Sequence, residues 1–297
     1  MQIICLGTAS CYPTANRSVS CTALRFEDGN AWIFDCGEGS QVQLQKSPLF
    51  GLPGLMCTLG NMVPDRENFL LEIYGPRGLR KFVRDTLILS KSALTYGYVV
   101  HELIPVAEQY PEDWNLWPTE DVAMGATHPQ EKPGKDISAN DDLIWNLFEN
   151  QNVSVKAGPI KHKIPSFGFV IVERDEPGKL DSDKLKALGI PPGPLYARIK
   201  KGEVVTLPSG ATVSFKMSSD IVLHEATLEN SMEEKAIVMG HSTPRMAAQF
   251  AANVGAKDPC VDTLLHEAQE ELNSQNCPAQ LVLADDLLEY TVERPRR

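Results

Sequence analysis

Cys21-Thr22-Ala23-Leu24-Arg25-Phe26-Glu27-Asp28-Gly29-Asn30-Ala31-Trp32-Ile33-Phe34-Asp35-Cys36-Gly37-Glu38-Gly39 is the stretch that decides the fold class. Its first part, Cys21–Glu27, alternates as a half-buried strand does. Asp28-Gly29-Asn30 is a strong hairpin turn signal, and Ala31–Phe34 is the return strand. That strand runs into an acidic, glycine-rich loop. Upstream, Gln2–Leu6 is a short apolar run closed by Gly7-Thr8, and it reads as a strand buried on both faces. Consecutive strands ending in such a loop predict a sheet whose loops build a site at one edge.

Downstream, strand and helix patterns alternate. Leu52–Leu59 reads as a helix, and Phe69–Tyr74 as a strand stopped by Gly75-Pro76. Gly78–Ser90 predicts a helix with Leu79, Phe82, Val83 and Leu87 on its apolar face, and Tyr98–Val106 predicts another strand. This alternation indicates an α/β fold. Later, Ile221–Leu223 runs into His224-Glu225-Ala226-Thr227, and Gly240-His241-Ser242-Thr243-Pro244 precedes a helix. Thr243 suits the cap of that helix and Pro244 its first position. Met246, Ala247, Phe250, Ala251 and Val254 form its expected apolar face, and Gly255 ends it. A second helix carries Leu264, Leu265, Ala268 and Leu272; Gln280–Ala284 and Leu288–Val292 close the chain as strands.

Composition narrows the function classes. The 297 residues are 42% apolar and 23% charged, which excludes collagen, coiled-coil arrays and full disorder. The formal charge of −11 excludes a uniformly basic nucleic-acid binder but leaves room for a local basic patch. Such a patch exists: residues 156–201 hold ten Lys and Arg against five acids. It contains Gly189-Ile190-Pro191-Pro192-Gly193-Pro194, a stiff presentation element. Residues 107–150 have the opposite bias, ten acids against two lysines, and read as a solvated insertion. No apolar run reaches membrane-span length, and the first residues do not read as a signal peptide. Seven cysteines, none in a Cys-x-x-Cys pair and most in apolar runs (Cys5, Cys21, Cys36, Cys57), predict reduced, buried thiols in a cytoplasmic or nuclear protein.

Phosphate-loop, dinucleotide and nucleophile-elbow motifs are absent from the sequence. The candidate chemistry lies in histidines and carboxylates near strand ends: Asp35, Glu38, His162, His224, Glu225 and His241. His162 stands just before a strand start, Ile164-Pro165-Ser166-Phe167-Gly168-Phe169. His241 sits just before a helix N-terminus, where an anionic oxygen is favoured and an imidazole can give up a proton. Glu225 is placed to orient that imidazole if the two loops meet.

Together these residues resemble the short form of tRNase Z, a zinc phosphodiesterase family. The carriers are Leu6-Gly7-Thr8 with Tyr12-Pro13, Trp32 to Gln41, Gly51-Leu52-Pro53-Gly54-Leu55, Ile73-Tyr74-Gly75-Pro76, His162 to Phe169, Pro177-Gly178-Lys179-Leu180, Gly189 to Tyr196, His224 to Thr227 and Gly240 to Pro244. The resemblance implies a metallo-β-lactamase-type α/β fold, an αβ/βα four-layer sandwich spanning 1–297, with two zinc ions at the sheet edges. It implies an endonuclease that removes 3′ trailers from pre-tRNA, acting as a homodimer, with neither DNA nor a membrane as partner. His162 then matches a zinc-ligand histidine, His241 the histidine that protonates the leaving oxygen, and Glu225 its supporting carboxylate. Residues 170–208 match a protruding arm that grips tRNA, with Lys184, Lys186, Gly193, Pro194, Arg198, Lys200 and Lys201 as its substrate-binding residues.

The sequence also departs from that family. A His-x-His-x-Asp-His motif belongs between Gln45 and Gly51, where Lys46-Ser47-Pro48-Leu49-Phe50 stands instead. A loop with a bridging aspartate belongs between Val213 and Ile221, and a last histidine loop after Lys257, where Asp258-Pro259-Cys260 leads toward the final helix. Asp220 and His266 lack the family context of substitutes. Of the matched ligands only His162 is left, whereas a catalytic zinc takes about three from the protein. The expectation is an incomplete sandwich with impaired catalysis. The alternatives are a non-catalytic tRNA-binding or dimer-partner protein, and another hydrolase of the same fold.

Overall fold

The computed structural model describes residues 1–10, 13–15, 17–37, 51–111, 126–173, 205–206, 212–213, 221–256, 258–261, 265–279 and 281–292. Strands β1 (Gln2–Gly7), β2 (Cys21–Arg25) and β3 (Ala31–Phe34) are followed by helix α1 (Gly51–Leu59). Next come β4 (Leu70–Pro76), α2 (Leu79–Leu89), β5 (Gly97–Leu103), β6 (Glu131–Lys132), β7 (Asp136–Ile137), β8 (Trp145–Glu149), β9 (Val153–Ile160) and β10 (Ser166–Glu173). The remaining elements are β11 (Val205–Thr206), β12 (Thr212–Val213), β13 (Ile221–His224), α3 (Glu233–Met239), α4 (Pro244–Asn253), β14 (Asp258–Val261), α5 (Leu265–Ser274), β15 (Val282–Leu283) and β16 (Leu288–Thr291).

The predicted hairpin pairs Arg25 with Ala31 and Thr22 with Phe34. Asp28 closes its turn by accepting the Asn30 amide at 2.9 Å. β16, β1, β2 and β3 make one antiparallel sheet, and β8, β9 and β10 a second. Aromatic side chains join the two: Trp32 meets Phe148 at 5.2 Å and Phe34 meets Phe169 at 5.6 Å between ring centroids. β4 and β5 pair in parallel, and α1 and α2 cover them with a core of Met56, Ile73, Val83, Leu87, Tyr98 and Val100. β13, β14 and β15 form a parallel sheet, backed by α4 and α5 through Ala226, Ala247, Ala248, Ala268 and Leu272.

Several expectations are corrected. β4 is not stopped by Gly75-Pro76: Pro76 is its last residue and pairs with Leu103. Phe82 is exposed, and Arg84 takes the buried place on α2. Phe250 is likewise exposed on α4, where Ala248 is buried. Cys57 is exposed, unlike Cys5 and Cys21. Asp258–Val261, read as a connection, is the central strand of its sheet.

Residues 126–150 are largely exposed, yet they are anchored to β5 and β9 rather than free of the sheets. Trp145 is fully buried against Leu103 and Ala157, with its indole N–H donating to the Ile104 carbonyl at 3.0 Å. Gly134 lies so close to β5 that a Cβ there would stand 1.8 Å from the Val100 oxygen, a position only glycine occupies. Arg80 donates to the Val100 and Lys135 carbonyls and to Asp136, at 3.2, 3.2 and 2.7 Å. These contacts give the acidic segment a folded seat that its composition does not advertise. Among the described residues, no helix is long and apolar enough to cross a membrane.

Candidate active site

Three predicted site residues come together where β13, the β9–β10 loop and the α3–α4 loop meet. β13 ends at His224, so Glu225 opens a loop at the carboxyl end of a parallel strand, the edge where α/β sheets place their sites. The Glu225 Oε2 atom accepts both the Thr227 amide, at 2.9 Å, and the Thr227 hydroxyl. This small closed turn leaves Oε1 facing the neighbouring loop. There His241 Nδ1 stands 3.9 Å away, within ion-pair reach of a protonated imidazole but too long for a hydrogen bond. The two loops are tied by the Leu228 amide donating to the Ser242 carbonyl at 3.3 Å.

Local chemistry explains the second loop. α3 ends at Gly240, whose φ is +76°, and the His241 amide donates to the Ala236 carbonyl at 2.8 Å. Thr243 and Pro244 start α4 as their types predict: the Thr243 side chain accepts from the Met246 amide and is fully buried. His241 is therefore held between a helix end and a helix start.

His162 arrives from the loop between β9 and β10. Its ring stands nearly perpendicular to that of His241, at 83°, with centroids 5.9 Å apart. Burial lowers the His162 pKa below the ordinary histidine value; charge on His241 adds to this and Glu225 opposes it. Its Nδ1 is buried without a hydrogen-bond partner.

The other candidates do not join this group. His224 turns toward α4, with its ring 5.4 Å from Phe250 and Nδ1 2.7 Å from the Glu225 carbonyl oxygen. Asp35, at the end of β3 with φ +55°, accepts from the Ser20 hydroxyl at 3.3 Å. His266 is exposed on α5 beside Glu270. Glu38, Asp220, Lys184, Lys186, Gly193, Pro194, Arg198, Lys200 and Lys201 lie outside the described residues. Sequence reasoning passed over Thr227 and Gly240 as contributors to this corner. The two-residue spacing of Glu225 and Thr227, which suits a side chain bonding its own backbone ahead, was the available signal for the first.

A dinuclear zinc centre can be tested against these donors. Among the described residues, no group of three or more His, Cys, Asp and Glu side chains is arranged to hold a metal ion. A catalytic zinc needs about three protein ligands. The orphaned Nδ1 of His162 is one buried nitrogen, and the described residues do not fit a two-ion cage around it.

No family model matches the chain. It is 39% identical to the zinc phosphodiesterase ELAC protein 1 of Homo sapiens over 310 aligned positions, which cover 86% of this chain and 84% of that protein. It is 33% identical to the ribonuclease Z of Acaryochloris marina over 304 positions, covering 86% and 83%. Since 86% of 297 residues is about 255, at least about 55 of the 310 positions aligned with the human protein have no counterpart in this chain. The crystal structure of human tRNase Z, short form, superposes with a TM-score of 0.67 at 30% identity, covering 99% of this chain and 100% of that one. The metallo-β-lactamase fold protein YhfI from Bacillus subtilis, 11% identical with a TM-score of 0.50, shares the fold alone. On identity over most of its length and superposition over nearly all of it, the chain belongs to the short-form tRNase Z family of zinc phosphodiesterases and has a metallo-β-lactamase-type α/β fold.

Proposed function

We propose that this chain is a tRNA-recognising member of the family whose phosphodiesterase chemistry is impaired. The observation that carries the reading is the state of the site. Glu225 and His241 face each other across two tied loops, yet His162 beside them has no second and third metal donor among the described residues. The unmatched positions against the human relative support the same reading, since they leave room for the three ligand loops that the resemblance implies are missing.

What this chain's own residues do is limited and specific. Thr227 holds the Glu225 carboxylate, and Glu225 faces the Nδ1 edge of His241. That arrangement sets a carboxylate within ion-pair reach of Nδ1 and leaves Nε2 to hold or give a proton. Such a proton donor would serve a bound zinc ion that supplied Lewis acidity and an activated water, a centre the described residues do not complete. Substrate recognition is assigned to the basic arm at 170–208, through Lys184, Lys186, Gly193, Pro194, Arg198, Lys200 and Lys201. Pre-tRNA is the partner, and a homodimer, in the cytoplasm or nucleus, is the working assembly.

Metal analysis of the purified full chain, with pre-tRNA cleavage and binding measured in parallel, tests this. The expected result is less than one zinc per chain and cleavage near background with added zinc. Binding is expected to weaken with salt and to fall when Lys184, Lys186, Lys200 and Lys201 are changed to Gln, each lost phosphate contact lowering the salt slope by about 1. Two firmly held zinc ions with chelator-sensitive turnover would overturn the claim of impairment. Binding unchanged in the four-lysine variant would overturn the arm assignment.

A further inference from the structure

We infer that Gly240 is a positioning residue that sets the spacing between His162 and His241, a role that rests on reading this corner as the family's reaction site. Two independent features of the residue favour glycine. The first is backbone: φ of +76° ends α3, which lets the Gly240 amide reach the Ile237 carbonyl at 3.2 Å and the His241 amide reach that of Ala236 at 2.8 Å. L residues other than Asn and Asp adopt this conformation rarely.

The second is contact. A Cβ on Gly240 would stand 3.1 Å from His162 Cα, 3.1 Å from its Cδ2 and 3.3 Å from its Cγ. Carbon pairs settle at about 3.5–4.0 Å, so His162 or the loop would have to give way. The Cα belongs to the β9–β10 loop, while Cδ2 and Cγ belong to the ring that meets His241 edge-on. Gly240 is thus bonded to the residue carrying one imidazole and provides the bare surface against which the other lies. The Glu225 turn does not depend on it, because Thr227 holds that carboxylate locally. A Cβ at position 240 therefore shifts the His162 ring relative to that of His241 by a few tenths of an ångström and leaves the carboxylate in place.

The two features can be separated by experiment on the full chain. Gly240→Asn tolerates the left-handed conformation and so keeps the end of α3, yet it carries a Cβ. Gly240→Ala loses on both counts. With ring-labelled histidine, six residues give six sets of signals. The parent chain is expected to show a through-space cross-peak between the His162 and His241 rings, and both variants are expected to weaken it. His162→Ala removes the Cγ and Cδ2 contacts and keeps the Cα one, so in a double-mutant cycle Gly240→Asn should destabilise less once the ring is gone, though not negligibly. If Gly240→Asn alone does not fold, His162→Ala is expected to restore folding in part. A cross-peak of unchanged strength in either folded variant, an additive cycle, or no restoration at all overturns the inference. None of these readouts uses RNA or metal. An active, zinc-loaded nuclease would sink the proposed function and leave this result standing, and an unchanged cross-peak would do the reverse.

Discussion

Arg84 and Glu131 form a two-point ion pair, Nε to Oε2 at 2.7 Å and Nη2 to Oε1 at 2.6 Å, with side chains only 7% and 4% exposed. The pair joins α2 to the first residue of β6, across 47 residues of sequence. The carboxylate raises the Arg84 pKa further, so the guanidinium stays charged. Glu131→Ala deprives that buried charge of its two-point carboxylate. The expected loss is about 3–5 kcal/mol in denaturant unfolding. Replacing both by apolar residues of similar size should cost far less. Equal losses from the single and double replacements would show that the pair is not the cause.

Glu102, on β5, serves as the cap that α2 lacks in its own sequence. Its Oε1 accepts the Gly78 and Arg80 amides at 2.9 and 2.8 Å, and no side chain caps the helix from Gly78. A carboxylate at a helix start satisfies free amides and complements the dipole. Glu102→Ala is expected to lower stability by about 1–3 kcal/mol and to speed hydrogen exchange at the first turn of α2. Unchanged exchange there would refute the capping role.

His101 makes stability fall in acid. Burial, aided by Lys135 and Arg80 and opposed by Glu72, lowers its pKa below the ordinary 6.5. Its Nδ1 accepts the Lys135 amide at 3.1 Å, which requires that nitrogen to be unprotonated. The unfolded chain therefore binds a proton at a higher pH than the folded one. This contribution is full above pH 6.5 and is lost as pH falls below it. His162, lowered in the same direction, adds to the slope. Unfolding free energy should be flat just above pH 6.5 and decline below it, with a shallower decline in His101→Gln. An identical slope in that variant would exclude His101 as the source.

Trp145 tests whether residues 126–150 belong to the core. Trp145→Ala is expected to cost about 3–5 kcal/mol, and Trp145→Phe distinctly less, because the phenylalanine keeps most of the volume and loses the bond to Ile104. A surface loop would give a change within about 0.5 kcal/mol for either. Denaturant unfolding distinguishes the two.

Much of the fold was legible because it is encoded locally. The Cys21–Phe34 hairpin follows from alternation and a three-residue turn signal, and the start of α4 follows from Thr243 and Pro244. Where reading failed, contacts distant in sequence had decided. Phe82 and Arg84 are two residues apart on α2, and periodicity favours the phenylalanine for burial; Glu131 reverses this by satisfying the guanidinium inside. Asp258-Pro259-Cys260 carries a weak strand signal, yet it pairs between β13 and β15 because both neighbours supply backbone partners. The acidic composition of 107–150 suggested solvent, since composition does not register that Gly134 fits against Val100 or that Trp145 finds a pocket.

The sequence by itself determined the family, the order of strands and helices in outline, and the identities of His162, Glu225 and His241 as site candidates, because residue types and their spacing survive without coordinates. Only the tertiary structure decided that these three meet while His224 turns toward Phe250 and Asp35 pairs with Ser20. The reason is physical: the three lie on separate segments, and their distances are set by a left-handed glycine, a hydrogen bond between two loops, and the packing of the elements that carry them.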